Sequence, residues 1–240
     1  MHHTRITHVL LDIDDTLTCY APHALERTFD GNFLFPLLLD LAETRKIPRR
    51  EAETIIRRTT QEKPFWDYTD FLSPLSLSFS DVLPHFRSWH AKNLNPFPDS
   101  VRLTRSLKQA GYGISIISNN PRLGCLLKLE RCGLANAATG ESCFSQILST
   151  DRIAGCKGDQ GVWKHALEKL DVPPGQVITV GDSLREDAQL PLQQGVAFAF
   201  LLLRPPAPLP QDLPPRIHTI RNAMQIMDFL NTFSPSLIPT

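Results

Sequence analysis

The chain has 240 residues and carries 25 basic and 25 acidic side chains, so its formal net charge at pH 7 is zero. Such a balance offers no broad basic surface, which argues against polymeric nucleic acid or an anionic membrane as a partner. No apolar run approaches the length of a membrane span, and the amino terminus opens on His2, His3 and Arg5 in place of a signal-peptide core. Cys19, Cys125, Cys132, Cys143 and Cys156 are odd in number and lack paired metal-ligand spacing. Reduced thiols and a cytoplasmic protein are expected. Cys156 stands beside Lys157, a neighbour able to lower a thiol's pKa, but a spectator thiol is the favoured reading.

The first element, His8-Val9-Leu10-Leu11, reads as a buried strand of an α/β sheet and runs directly into Asp12-Ile13-Asp14-Asp15-Thr16. In such sheets ligands collect at the carboxyl ends of the strands, so two carboxylates two residues apart lie where chemistry takes place. By itself the pentapeptide fits a strand-end aspartate followed by an Asx-type turn through Asp14 and Asp15 equally well. About eighty residues then separate this strand from a helix opening at Pro98-Asp99-Ser100, far more than a strand-to-helix loop requires. They are expected to build their own unit: the cluster Phe33 to Leu39, a charged helix over Pro48 to Gln61, and a helix over Ser80 to Leu94 carrying Phe86 and Trp89.

The expected organisation is a core of residues 1–18 and 97–240 with a helical cap of residues 19–96. Its tethers are Leu17 to Ala21 and Asn93 to Phe97, the second loosened by Asn95-Pro96 and Phe97-Pro98. Phe65, Trp66, Tyr68 and the pair Arg57-Arg58 are candidates to face a substrate. Aromatic residues in a small helical unit more often form its core, and paired arginines a solvated face, so these stay outside the site.

Gly113-Ile114-Ser115-Ile116-Ile117 is a second buried strand, ending in Ser118-Asn119-Asn120-Pro121. Lys157 opens the stretch Lys157 to Trp163 ahead of an amphipathic helix. Val177-Ile178-Thr179-Val180 is a third strand, ending in the acidic turn Gly181-Asp182-Ser183-Leu184-Arg185-Glu186-Asp187, whose leading glycine lets the backbone bend. Val196 to Leu203 reads as another central strand, the proline-rich stretch 205–215 as a rigid surface loop, Ile217 to Ile220 as an edge strand and Asn222 to Asn231 as a closing helix. Residues from Ser234 onward are expected to fray.

Taken singly, each signal has a plain explanation: a capped strand-to-helix turn at Ser118, a solvated lysine at position 157, a tight turn at Gly181-Asp182, a capping hydroxyl at Thr16. In order, Asp12, Asp14, Ser118, Lys157, Asp182 and Asp187 form a set that resembles the haloacid dehalogenase-like superfamily. Its four motifs are a DxDxT strand end, a Ser/Thr strand end, a lysine and a GDxxxxD turn. The resemblance runs from Val9 to Gly195 and takes in Leu107-Lys108-Gln109-Ala110-Gly111 before the second strand, and Phe144, Ile147 and Ser149 ahead of Lys157. Two departures stand out. Gly158 replaces the usual proline after the lysine, and Leu190 to Gly195 replaces a small-residue helix.

The resemblance implies a Rossmann-like, doubly wound, mainly parallel sheet, with a smaller α-helical cap inserted after the first strand. It also implies a Mg²⁺-dependent phosphatase acting on a small phosphorylated metabolite. Asp12 would attack phosphorus to form an aspartyl phosphate, splitting one hard step into two easier ones. Asp14 would protonate the leaving oxygen and then deprotonate the attacking water. Relatives that break carbon–halogen or carbon–phosphorus bonds lack an aspartate at this second position. Clustered carboxylates repel by about 4 kcal/mol per pair at 4 Å for an effective dielectric near 20, so such a site demands a cation.

Mg²⁺ suits oxygen ligands and is assigned to the Asp12 carboxylate, the Asp14 carbonyl and Asp182. Asp187 either orients the metal's waters or Lys157, or ligates directly. Ser118, the Asn119 amide and Lys157 would hold the phosphoryl oxygens, with Thr16 supporting the nucleophile loop. A phosphomutase, a nucleotidase and a catalytically idle binding protein on the same scaffold remain alternatives. A monomer or homodimer without membrane or nucleic-acid partners is expected.

Overall fold

The computed structural model describes residues 5–208, 210 and 212–233. Strand β1 (His8–Leu11) lies in the middle of a parallel sheet that also contains β4 (Gly113–Ile117), β5 (Gln146–Leu148), β6 (Val177–Gly181), β7 (Phe198–Leu202) and β8 (Ile217–Ile220), in the order β5-β4-β1-β6-β7-β8. From β1 the chain winds outward through β4 and β5 on one side, and β6, β7 and β8 extend the sheet on the other. The order reverses beside β1, and a crevice opens there at the strands' carboxyl ends. This is the doubly wound α/β arrangement expected from the sequence.

Every residue of β1 is buried, because helices cover both faces of the sheet. Val9 and Leu11 pack with Ile114, Ile116, Ile178 and Val180 on one face, while Leu10 joins Ile117, Leu148 and Trp163 on the other, as a period of two requires. The flanking helices are α4 (Pro98–Gln109), α5 (Arg122–Arg131), α6 (Thr150–Ile153), α7 (Val162–Leu170), α8 (Leu190–Gln193) and α9 (Gln225–Phe233). Strand β5, only three residues long, gave no periodicity that a sequence reading could use. Ser234 and the residues after it, with the expectation attached to them, lie outside the described residues, as do positions 209 and 211 of the proline-rich stretch.

Between the first two elements of the core lie α1 (Phe35–Thr44), α2 (Arg49–Glu62) and α3 (Phe79–Asn93). Half of the residues of helix α2 are charged, and it buries only Ala52 and Ile56, one stripe at a spacing of four. Helix α3 starts ahead of its expected boundary because Ser78 and Asp81 form a reciprocal capping box. The tethers also differ from expectation. Strands β2 (Thr18–Tyr20) and β3 (Leu94–Pro96) pair antiparallel into a short ribbon, with Pro96 at its end, where a missing N–H costs little. Pro96 therefore ends a paired element and Pro98 opens α4; neither loosens a free segment.

One hydrophobic cluster runs from the sheet through Leu123, Leu126 and Leu127 of α5 to Leu38, Phe71 and Phe86 of the helical segment. Trp66 and Tyr68 belong to this packing, with ring centroids 5.2 Å from Phe35 and 5.5 Å from Phe86 respectively. Arg57 is tied to Asp30 at 3.1 Å and lies over Phe29. Trp66, Tyr68 and Arg57 thus serve the helical segment's own packing. Among the described residues no helix is long and apolar enough to cross a membrane.

His90, on the buried face of α3, places Nδ1 2.8 Å from the Phe86 carbonyl oxygen. Burial holds its pKa down at about 4 against 6.5 for a free imidazole, despite that hydrogen bond. An imidazole that stays neutral when folded stabilises the protein fully above pH 6.5, and the contribution is lost as the pH falls toward 4 and the unfolded chain takes up a proton first. The loss from this one ring is on the order of 3 kcal/mol. Urea unfolding followed across this range is expected to show a shallower acid decline for His90→Gln than for the wild type. Equal slopes would mean that the ring is not held neutral by its surroundings.

Candidate active site

The loop after β1 is fixed by its own backbone. The Asp12 amide donates to the Val180 carbonyl at 2.9 Å, and the Ile13 carbonyl then accepts from the amides of Thr16, Leu17 and Thr18 at 3.3, 2.8 and 2.9 Å. Asp15 sits in the left-handed region at φ 54°, which aspartate tolerates better than most residues. A brace comes from outside: Ser100 Oγ and Arg204 Nη2 donate to the Thr16 carbonyl at 2.7 and 3.1 Å, with Arg204 paired to Asp99 at 3.2 Å. The Thr16 hydroxyl, expected to support this loop, is buried without a hydrogen-bond partner among the described residues. The bracing falls to its carbonyl.

At the mouth of the crevice, Asp12, Asp182 and Asp187 each bring one carboxylate oxygen within 4.8 Å of the others. Lys157, in the loop before α7, places its Nζ 2.6 Å from Asp12 Oδ1 and 2.7 Å from Asp187 Oδ1. The second Asp12 oxygen has no protein donor among the described residues. Asp187 is reached through a π-helical turn, Leu184–Gln189, and its Oδ2 accepts from the Ser183 amide at 3.0 Å. This tuck requires Gly181, because a Cβ there would overlap the Asp187 carboxylate.

Burial pushes the Asp12 carboxyl up to about 7, with Lys157 pulling down against it and Asp187 and Asp14 adding to the rise. Burial and the neighbouring Asp12 push Asp182 up to about 6. Asp187 is raised too, chiefly by burial. For Lys157 burial works against the charge, but Asp12 and Asp187 outweigh it and raise its pKa. Three carboxylates against one ammonium leave excess negative charge on hard oxygen donors, a set that suits a divalent cation.

Asp14 stands outside this cluster. Lys128 of α5 donates to its Oδ1 and Oδ2 at 2.6 and 2.9 Å, and Asn120 Nδ2 donates to Oδ2 at 2.6 Å. Burial acts to raise the Asp14 pKa, but Lys128 and Asn120 together hold it below the usual carboxylate value. Sequence reasoning missed Lys128 and Asn120. The available signal was Lys128's place inside the apolar run Leu126-Leu127-Lys128-Leu129, on a helix that buries every residue from Leu123 to Leu129.

Ser118 is buried at the tip of β4, and its Oγ accepts from Asn120 Nδ2 at 2.8 Å. The Asn119 side chain joins three loops, accepting from the Lys157 amide at 2.7 Å and donating to Glu186 at 2.9 Å, while its own backbone N–H has no acceptor among the described residues. A Cβ at Gly158 would lie 2.8 Å from Glu186 Oε1, the end of a flexible side chain that can move aside. Beside this network Cys156 is a spectator: burial raises its thiol pKa, with Asp159 and Glu186 adding to the effect.

Residues 6–191 match the sequence profile of haloacid dehalogenase-like hydrolases. The chain belongs to that family. As a haloacid dehalogenase-like hydrolase it is 29% identical over 184 residues to a phosphoglycolate phosphatase of Cupriavidus necator, covering 74% of this chain and 73% of the relative. It is 31% identical over 90 residues to (S)-2-haloacid dehalogenase 1 of a Pseudomonas species, covering 38% of this chain and 37% of the relative. Among solved structures, a haloacid dehalogenase-like phosphatase from Thermococcus onnurineus superposes with a TM-score of 0.59 at 22% identity, covering 94% of this chain and 98% of its own. A 2-haloacid dehalogenase from Pseudomonas syringae superposes with a TM-score of 0.61 at 19% identity, covering 95% of this chain and 100% of its own. These two likenesses concern the fold.

The hydrolase's buried lysine has a measurable structural consequence. Lys157→Met leaves Asp12 and Asp187 buried without their cation and is expected to lower stability at neutral pH by about 3–5 kcal/mol. The deficit should shrink from about pH 8 to about pH 5, because carboxyls raised further by loss of the ammonium take up protons in the folded state. A stability loss below about 1 kcal/mol in urea titrations would rule out the ammonium as the cluster's compensating charge.

Proposed function

We propose that this hydrolase is a Mg²⁺-dependent phosphatase that cleaves a small phosphorylated metabolite through an aspartyl-phosphate intermediate. The observation that carries the reading is Asp14: a second carboxylate two residues after Asp12, held by Lys128 and Asn120 outside the cluster that suits a cation. The phosphatase relative supports it over most of the chain, whereas the dehalogenase relative matches over little more than a third. A glyceraldehyde 3-phosphate phosphatase of Methanothermobacter thermautotrophicus, 27% identical over 94 residues, covers 39% of this chain and 39% of its own, a share like the dehalogenase's.

In this reading the unpaired Asp12 oxygen attacks phosphorus, and Asp14, which has to take up a proton from solvent or substrate first, passes it to the departing ester oxygen. Water then attacks the acyl phosphate, yields its proton to Asp14 and frees phosphate and the Asp12 carboxylate. Ser118, the Asn119 amide and Lys157 hold the phosphoryl oxygens as charge shifts. Mg²⁺ would be held by Asp12, the Asp14 carbonyl and Asp182, and would neutralise the phosphoryl group's charge beside the nucleophile. Asp187 acts through Lys157, which it holds in place. Residues 19–96, with helices α1 to α3 and all but Thr18 of the ribbon that carries them, form the cap that shields the crevice from bulk water.

A panel containing phosphoglycolate, glyceraldehyde 3-phosphate, sugar phosphates, nucleotides and 2-haloacids, incubated with Mg²⁺, tests the reading. Inorganic phosphate is the expected product. Halide release would identify a dehalogenase, and an isomeric sugar phosphate without free phosphate a mutase. Asp12→Asn is expected to lose activity on the order of ten-thousandfold or more, and Asp14→Asn about a hundred- to ten-thousandfold. Asp182→Asn should raise the Mg²⁺ concentration needed for half-maximal rate. Undiminished turnover by Asp12→Asn would rule out the covalent route.

A further inference from the structure

Arg204, just beyond the end of β7, reaches two other segments of the chain at once. Its Nη1 donates to both oxygens of Asp99, at 3.2 and 3.3 Å. Its Nη2 donates to the Thr16 carbonyl at 3.1 Å and to Ser100 Oγ at 2.7 Å. The face of the guanidinium lies over the Phe97 ring, with Cζ 3.5 Å from the ring centroid. Ser100 Oγ donates in turn to the same Thr16 carbonyl at 2.7 Å, so two donors converge on one oxygen. Asp99 also accepts from the Ala223 amide at 2.8 Å, which anchors it to the approach to α9.

These contacts gather where residues 19–96 leave the sheet and return to it. The Phe97 amide donates to the Leu17 carbonyl at 2.9 Å, and the ribbon begins beside this pair, at Thr18 and Pro96. Thr16 lies between that root and Asp14. The side chains of Arg204 and Asp99 are 20% and 13% exposed, so the pair is not a loose surface contact. A lysine could supply the charge but neither the planar fork nor the flat face that rests on the ring.

We infer that Arg204 is a positioning residue: it ties both roots of the helical segment to the loop that carries Asp12, so that nucleophile and cap meet the substrate in one fixed relation. This inference rests on the phosphatase reading above. Arg204 gives its hydrogen bonds to Asp99, Ser100 and Thr16, and so it acts on the reaction through the Thr16 carbonyl. In-line attack requires the unpaired Asp12 oxygen to be held closely, since a misplacement of about 1 Å costs on the order of a hundredfold in rate. The groups assigned to the phosphoryl oxygens, Ser118, the Asn119 amide and Lys157, belong to other loops. Loss of the fork should therefore lower kcat and spare KM.

The test measures kcat and KM on para-nitrophenyl phosphate with Mg²⁺ for wild type, Arg204→Ala, Arg204→Lys and Ser100→Ala, with folding checked by circular dichroism and urea midpoint. Arg216→Ala is the control for stability alone, because Arg216 donates to the Val196 and Leu192 carbonyls, away from this loop. Arg204→Ala is expected to lose about ten- to a hundredfold in kcat while KM stays within about twofold. Arg204→Lys should recover the urea midpoint more fully than kcat, and Arg216→Ala should keep the wild-type kcat. Should Arg204→Ala fail to fold, Arg204→Lys and Ser100→Ala carry the same split between kcat and KM. A wild-type kcat in the Arg204 variants, a loss confined to KM, or a kcat that follows the urea midpoint across all variants overturns the positioning role and leaves the phosphatase reading intact. A wild type that releases no phosphate overturns the phosphatase reading and this inference with it.

Discussion

Burying like charges together is the constraint around which this molecule is organised. Asp12, Asp182 and Asp187 converge from two strand ends onto one ammonium, and their raised pKa values measure how poorly that single charge compensates them. No short segment could assemble such a cluster, because each carboxylate needs rigid backbone behind it. The parallel sheet supplies this by setting β1 beside β6, so that Asp12 and Asp182 follow adjacent strand ends. Gly181 and the π-helical turn supply the rest by letting Asp187 fold back onto Lys157. Replacing the four groups with apolar side chains would cost little stability. Their arrangement is therefore best understood as chemistry maintained at the expense of the fold.

Much of this was legible in the sequence. Strands β1, β4 and β6 were readable as continuous apolar runs because both of their faces are covered, and each ended in the residues that the structure gathers: Asp12, Ser118, Asp182. Strand β8 was readable from its turn signals, and α2 from its charge pattern. What escaped detection depended on distance or brevity. The pairing of β2 with β3 joins segments separated by the whole helical region, and each strand alone is too short to show a period. Strand β5 has the same brevity. Lys128 lay in an apolar helical run where a lysine reads as an intrusion, and nothing local revealed that Asp14 would come to meet it from over a hundred residues away. The brace on the Thr16 carbonyl was hidden for a related reason, since Ser100 and Arg204 arrive from α4 and from beyond the end of β7.

Two buried lysines divide two neighbouring aspartates. Lys157 shares its charge between Asp12 and Asp187 and leaves Asp12 with a carboxyl pushed up to about 7, whereas Lys128 gives its charge to Asp14 and holds that carboxyl below the usual range. Residues two apart in sequence would ordinarily share an environment. Here Asp12 meets Lys157 and Asp14 meets Lys128. The separation runs opposite to what a nucleophile at Asp12 and an acid at Asp14 require, so in that reading a cation beside Asp12 and the arriving substrate have to reverse it. The separation is built from outside the loop, by helix α5 on one side and the segment before α7 on the other.

Helix α5 therefore has a double duty. Its Leu123, Leu126 and Leu127 continue the hydrophobic cluster that joins the sheet to Leu38, Phe71 and Phe86 of the helical segment, while Lys128 of the same helix holds Asp14. The ribbon leading into that segment contributes Tyr20, whose ring lies 4.9 Å from the Lys128 ammonium. Packing of the helical segment and orientation of Asp14 are thus coupled through one helix and one charge. The coupling is short and direct: tether to lysine, lysine to carboxylate. A double-mutant cycle between Lys128 and a residue at the junction of α3 and α5 measures whether these contacts carry energy to the site.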